Sequence, residues 1–179
     1  MSESTTTHAG SPEETKRFHG NAGEFLVLGE LLKRKIEAYL ALGKTQRDWD
    51  IGVILHNRSA PLRVSVKSVD WPQKIATQIR PSAKFDVLVI VLLNGEKPSI
   101  FLVIPQRDVS KLLDEKKVDR PGGTRTITVR ASYRDPNSKP KNADKQFTQY
   151  EHKWEHIAAH QPETTQHTTT NSHPTKKGA

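Results

Sequence analysis

Apolar positions recur along this chain with two periods, and the changes of period mark the elements. In "NAGEFLVLGELLKRKIEAYLALGK" (21–44), Leu28, Leu31, Leu32 and Tyr39 form a stripe at helical spacing, with Lys33, Arg34 and Lys35 mostly off it. Asn21 can cap this helix, Glu24 stands at its third position, and Gly43 suits its C-terminal stop. The period then becomes two. In "DWDIGVILHNRSAPLRVSVKSVDW" (48–71) a nearly apolar run and an alternating run flank turn residues, which predicts a β-hairpin. "WPQKIATQIRPSAK" (71–84), with two prolines and mixed polarity, reads as a loop or a short broken helix. "FDVLVIVLL" (85–93) is apolar on both faces, as a covered central strand is, and "NGEKP" turns it into a second strand, "SIFLVIP" (99–105). A short helix over "QRDVSKLLDEKK" and an edge strand over "GGTRTITVR" (122–130) follow. A last helix is expected in "NADKQFTQYEHKWEHIAAH", where Phe147, Tyr150, Trp154 and Ile157 recur every three or four residues. The fold class is α/β: a sheet with helices packed against it.

The hairpin raises a chemical question. Asp50, Gly52 and Ile54 share one face of its first strand; Arg63, Ser65 and Lys67 share one face of the second. If Ile51, Val53 and Leu55 face the same core as Val64 and Val66, Asp50 lies opposite Ser65 or Lys67, and a one-residue slip destroys the match. A carboxylate and an ammonium therefore meet on one face. Alone, they could be a cross-strand ion pair contributing about 0.2–1 kcal/mol, and Glu24 alone could be a capping-box carboxylate.

Composition narrows the setting. Residues 1–17 and 160–179 are rich in Thr, Ser, His, Pro and Gly and read as disordered tails around one domain, 18–159. The chain carries 28 basic and 20 acidic residues; the tails hold four of each, so the middle keeps 24 against 16 and the whole charge of +8. A basic core suits a polyanion, whose counterions are released on binding, although many soluble domains are modestly basic. The absence of cysteine excludes a disulfide scaffold and cysteine-ligated zinc. The apolar run "VLVIVLL" is too short to span a bilayer, and the polar N-terminus has no secretory signal, so a soluble cytoplasmic protein is expected.

A "G-E" near the start of a first helix, Asp50 heading a strand, "V-x-V-K" about fifteen residues later and an apolar strand preceded by "F-D" resemble the PD-(D/E)XK nuclease superfamily. The likeness is to its small single-domain members, those similar to Holliday-junction resolvases and restriction-type endonucleases, and it covers about residues 20–105. It implies a restriction-endonuclease-like core, a mixed β-sheet flanked by helices. It further implies hydrolysis of phosphodiester bonds in DNA. Asp50 is then the principal ligand of Mg²⁺ or Mn²⁺, Glu24 an additional acid at the same metal, and the Val66 carbonyl a further oxygen ligand. Lys67 orients or activates the attacking water or stabilises phosphate charge. The family's second ligand, an acid or sometimes Gln, falls at Ser65, a short neutral hydroxyl. That departure leaves either a weaker or Mn²⁺-preferring enzyme or a catalytically degenerate module that binds nucleic acid, or an acidic protein, without cleavage. Asp48 or Asp70 could stand in for the missing acid.

Around this centre, Lys74, Arg80 and Lys84 are candidate phosphate contacts, and Arg120, Arg125 and Arg130 form a second basic group. Trp71 either lines the cleft or packs on Pro72. His152, His156 and His160 have the i, i+4, i+8 spacing of helical metal ligands, but an exposed polar face is the simpler account. Enzymes of this kind often act as dimers, so a homodimer remains open.

Overall fold

A computed structural model describes residues 12–41, 48–114, 123–135 and 146–158. Gly43, Arg120, His160 and most of both tails lie outside these segments. The first helix, α1, runs Pro12–Lys33. It starts earlier than its stripe predicts, so Asn21 is an exposed mid-helix residue and caps nothing. It also ends earlier. Lys35 takes φ 59°, and the Lys35 and Ile36 amides donate to the Leu32 and Leu31 carbonyls at 2.8 and 3.0 Å. That is a Schellman closure, sealed by Ile36 and Leu31 in the same apolar cluster. The rest of the expected helix becomes β1, Ala38–Leu40. Tyr39 therefore lies on a strand, and Leu32 points to solvent.

Strand β2 (Ile51–Val53) pairs antiparallel with β1 on one side and with β3 (Leu62–Asp70) on the other. The predicted hairpin is thus present, with Ile51 opposite Val64. Strand β5 (Val87–Leu93) runs parallel to β3 and antiparallel to β6 (Ile100–Pro105), giving the sheet order β1-β2-β3-β5-β6. The parallel β3–β5 pair needs a crossover, and residues 71–84 supply it. That crossover contains a strand where a loop or helix was expected: β4 (Ala76–Ile79) pairs with β7 (Arg125–Thr128) in a separate two-stranded ribbon. Strand β7 is accordingly not an edge of the main sheet.

Alternation sends each strand's side chains to two cores. On one face Val27 and Leu31 of α1 meet Val64, Val66, Val87, Val89, Phe101 and Trp154. On the other, the ribbon and the short helix α2 (Gln106–Val109) cover Leu88, Ile90, Leu102 and Ile104. Strand β5 is buried on both faces, as its unbroken apolar run requires. The C-terminal stretch differs from its helical reading. Only Glu155–Ala158 (α3) is α-helical among the described residues there. Upstream, Glu151 bridges to Leu102 and the His152 amide donates to the Phe101 carbonyl at 2.7 Å, so the chain joins the free edge of β6. His152 adopts φ 52°, which takes it off any common helical face with His156. His156 instead donates through Nδ1 to the Val103 carbonyl at 2.8 Å. Tyr150, Trp154 and Ile157 are core anchors, as their spacing implies. Among the described residues, no helix is long and apolar enough to cross a membrane.

The contact that seats α1 on the sheet is at Gly23. A Cβ there would stand 1.8 Å from the Ser68 hydroxyl oxygen and 3.1 Å from its Cβ. The Ser68 hydroxyl is itself buried without a hydrogen-bond partner among the described residues. Gly23→Ala is expected to destabilise the fold by roughly 1–3 kcal/mol, overpacking outweighing the gain in helix propensity. Ser68→Ala should be close to neutral, because it removes an unsatisfied buried hydroxyl. The double variant should recover part of the loss; urea denaturation of all four proteins measures the coupling.

Candidate active site

The site forms where one strand stops and its neighbour continues. Strand β2 begins at Ile51, opposite Val64, while β3 extends to Asp70. The ladder carried one step further puts Asp50 opposite Ser65, and the Asp50 amide donates to the Val64 carbonyl at 2.9 Å. Beyond that point no backbone of β2 remains to meet the Val66 amide. The Asp50 carboxylate meets it instead: Oδ2 accepts the Val66 N–H at 2.6 Å and the Ser65 hydroxyl at a longer 3.3 Å. The N–H and C=O of one strand residue leave on the same side, so the Val66 carbonyl is directed to the same open edge.

Helix α1 passes over this edge, and the close approach at Gly23 brings Gly20 and Glu24 to it. The result is a cleft of about 580 Å³ whose lining includes Glu24, Asp50, Val66, Lys67, Asp70 and Gln78. Burial and the nearby Asp50 carboxylate raise the proton affinity of Glu24 above the usual carboxylate range, against the opposing Lys67 ammonium. Two carboxylates and a carbonyl are hard oxygen donors, and a pair of acids that repel one another through a partly desolvated gap suits a divalent cation. Glu24, Asp50 and Val66 therefore fit Mg²⁺ or Mn²⁺ as a partial donor set, to be completed by water or phosphate. Among the described residues no group of three or more His, Cys, Asp and Glu side chains is arranged to hold a metal, so the backbone donor is integral to this fit.

Ser65 is buried and directed at Asp50, a partner of the carboxylate. Asp48, one alternative acid, lies in a smaller adjoining pocket of about 240 Å³. There it takes the Lys84 amide at 3.2 Å and faces the Arg80 guanidinium at 3.9 Å. Asp70, the other alternative, does line the main cleft, as does Lys74. Arg80 borders the smaller pocket and Lys84 is exposed beside it. Arg125, on β7, reaches the Asp114 carbonyl at 3.4 Å and lines neither space. Trp71 lines neither space: it is buried, donating from Nε1 to the Val129 carbonyl at 3.1 Å and meeting Tyr133 edge to face. Asp86 of the "F-D" pair is a structural acid. Its carboxylate accepts the Arg63 backbone N–H at 2.8 Å and two guanidinium N–H bonds at 3.1 Å.

One residue escaped the sequence reading. Gln78 lines both spaces, as Lys67 does, because β4 carries it across the face of β3. The only available signal was the alternation of "ATQI", masked by the prolines on either side.

The mixed α/β sheet flanked by helices is a fold seen in a nuclease of known structure. Among solved structures the chain is similar to a bacterial homing endonuclease, I-Ssp6803I, at 16% identity and a TM-score of 0.57, over 82% of this chain and 95% of that one. It is also similar to Hjc, a Holliday junction resolvase from the hyperthermophilic archaeon Archaeoglobus fulgidus, at 16% identity and a TM-score of 0.38, over 61% of this chain and 83% of that one. No family model and no curated protein matches the sequence, so the likeness is one of fold.

The Glu24 shift has a definite sign. A folded-state pKa above the ordinary 4.5 means the native state holds the proton longer than the unfolded chain does. Stability contributed by this group is present below that value and lost as pH rises through the raised one. Glu24→Gln removes the loss, so in chelator the variant should melt above wild type at neutral pH, with the gap closing as pH falls below about 4.5. Thermal unfolding across that range reads both.

Proposed function

We propose that this chain is a metal-dependent nuclease hydrolysing phosphodiester bonds in DNA. The observation that carries the reading is the meeting of Glu24, Asp50, the Val66 backbone and Lys67 around one open cleft. Glu24, Asp50 and the Val66 carbonyl would hold Mg²⁺ or Mn²⁺. A bound divalent cation would lower the pKa of a coordinated water and neutralise charge on the phosphate. The Val66 N–H fixes the Asp50 carboxylate before any substrate arrives, so little reorganisation is left for the moment of reaction. Lys67, whose ammonium acts on Glu24, would stabilise charge developing on the phosphate oxygens or orient the attacking water. Lys74 in the cleft, with Arg80 and Lys84 beside it, would track the strand on either side of the scissile bond. The net charge of +8 supports a polyanionic substrate, and the homing endonuclease of similar fold supports DNA in particular.

A second reading has its own observation. Ser65 is buried and spends its hydroxyl on Asp50, so the donor set is one anionic oxygen poorer than the nuclease pattern. A scaffold in this condition would bind DNA through the same basic residues without cutting it.

Cleavage of supercoiled plasmid and of branched DNA separates the two. The nuclease reading expects cutting that needs Mg²⁺ or Mn²⁺ and falls at least about 100-fold in both Asp50→Ala and Lys67→Ala. Salt-sensitive DNA binding without metal-dependent cutting would favour the binding module. Cutting that survives both substitutions would reject the assigned site.

A further inference from the structure

Helix α1 is apolar on two opposite sides. Gly23, Val27 and Leu31 make the buried line against the sheet. On the far side, Phe18, Ala22, Phe25, Gly29 and Leu32 follow one another at steps of four, three, four and three, and all five are exposed. Phe18, Phe25 and Leu32 are 66, 61 and 52% accessible, and the flanking Leu26 is 39% accessible. A 4-3 repeat of large and small apolar residues is the pattern of a helix–helix seam, not of a solvated face. A Cβ placed on Gly29 would meet nothing within 4 Å, so that hole is open.

We propose that this seam pairs two copies of the chain, α1 against α1 about a twofold axis, with Phe25 of each copy seated over Gly29 of the partner subunit. An isologous interface needs one self-complementary surface, and alternating Phe and small residues on a single helix provide both knob and hole. The four exposed side chains present on the order of 400 Å² of apolar area. That approaches the apolar share, roughly 60% of about 800 Å² per partner, of a standard stable interface. The chain's own remaining segments are poor covers. Residues 1–11, 42–47, 115–122, 136–145 and 159–179 contain only Met1, Leu42 and Val118 as large apolar residues. Glu24 lies beside Phe25 but on the cleft side of the helix, so pairing leaves each cleft open and braces the helix that carries its acid.

Sedimentation of the full chain tests this. Wild type should run at twice the 20.2 kDa of one chain at micromolar concentrations. Phe25→Glu and Leu32→Glu, each at an exposed position, should run at the single-chain mass while keeping a cooperative melt. Ile75→Glu, an exposed apolar residue off the seam, should leave the dimer intact. A wild type that stays at the single-chain mass overturns the proposal, as do seam variants that remain dimeric.

Discussion

The site rests on one hydrogen bond, from the Val66 amide to the Asp50 carboxylate at 2.6 Å. A strand amide left without a partner at a partly buried edge is costly, and the end of β2 leaves this one without its ladder partner. Asp50 supplies a side-chain oxygen where the backbone has run out. The same bond continues the register of β2 on β3, holds the carboxylate at the mouth of the cleft, and keeps the Val66 carbonyl turned toward it. Under the proposed function, structure and chemistry are joined in one contact: a neutral oxygen could accept the Val66 N–H, but a cation calls for an acid.

Around that contact lie features that cost stability and that the proposed chemistry would use. Glu24 and Asp50 repel across a partly desolvated gap, with Lys67 as partial relief. Gly23 gives up helix propensity so that α1 can lie on Ser68 closely enough to bring Glu24 to the edge. Asp86 shows the contrast. Burial would raise its proton affinity, but the hydrogen bonds and charge of Arg63, with the charge of Arg58, outweigh that and lower it. That acid is fully compensated and holds the start of β5 to β3. Glu24 lacks such compensation, and an uncompensated acid in a cleft is where a cation gains most.

Legibility from sequence followed how local the physics is. The β2–β3 parity was readable because a strict period of two on both strands admits one register, and that register set Asp50 beside Ser65. The double burial of β5 was equally plain in its apolar run. The end of α1 was not. Its C-terminal stop is Lys35 in a left-handed conformation, a residue with no preference for it, stabilised by the packing of Ile36 on Leu31. Strand β4 was hidden between two prolines, and its pairing partner β7 lies almost fifty residues away. The C-terminal apolar spacing was real, yet the free edge of β6 drew the backbone of Glu151 and His152 into the sheet instead. Gln78 was missed for the same reason as β4. For β4, Gln78 and the C-terminal stretch the deciding partner was distant in sequence; at the end of α1 it was near, but set by a residue type that does not announce the turn.

The most direct measurement is a crystal of the full chain soaked in Mn²⁺ and examined at the manganese absorption edge. An anomalous peak among the Glu24 and Asp50 carboxylates and the Val66 carbonyl is expected, lost in a crystal of Asp50→Ala. Mn²⁺ bound only elsewhere, or a peak in the cleft that persists in Asp50→Ala, would contradict the assignment of this edge as a metal site.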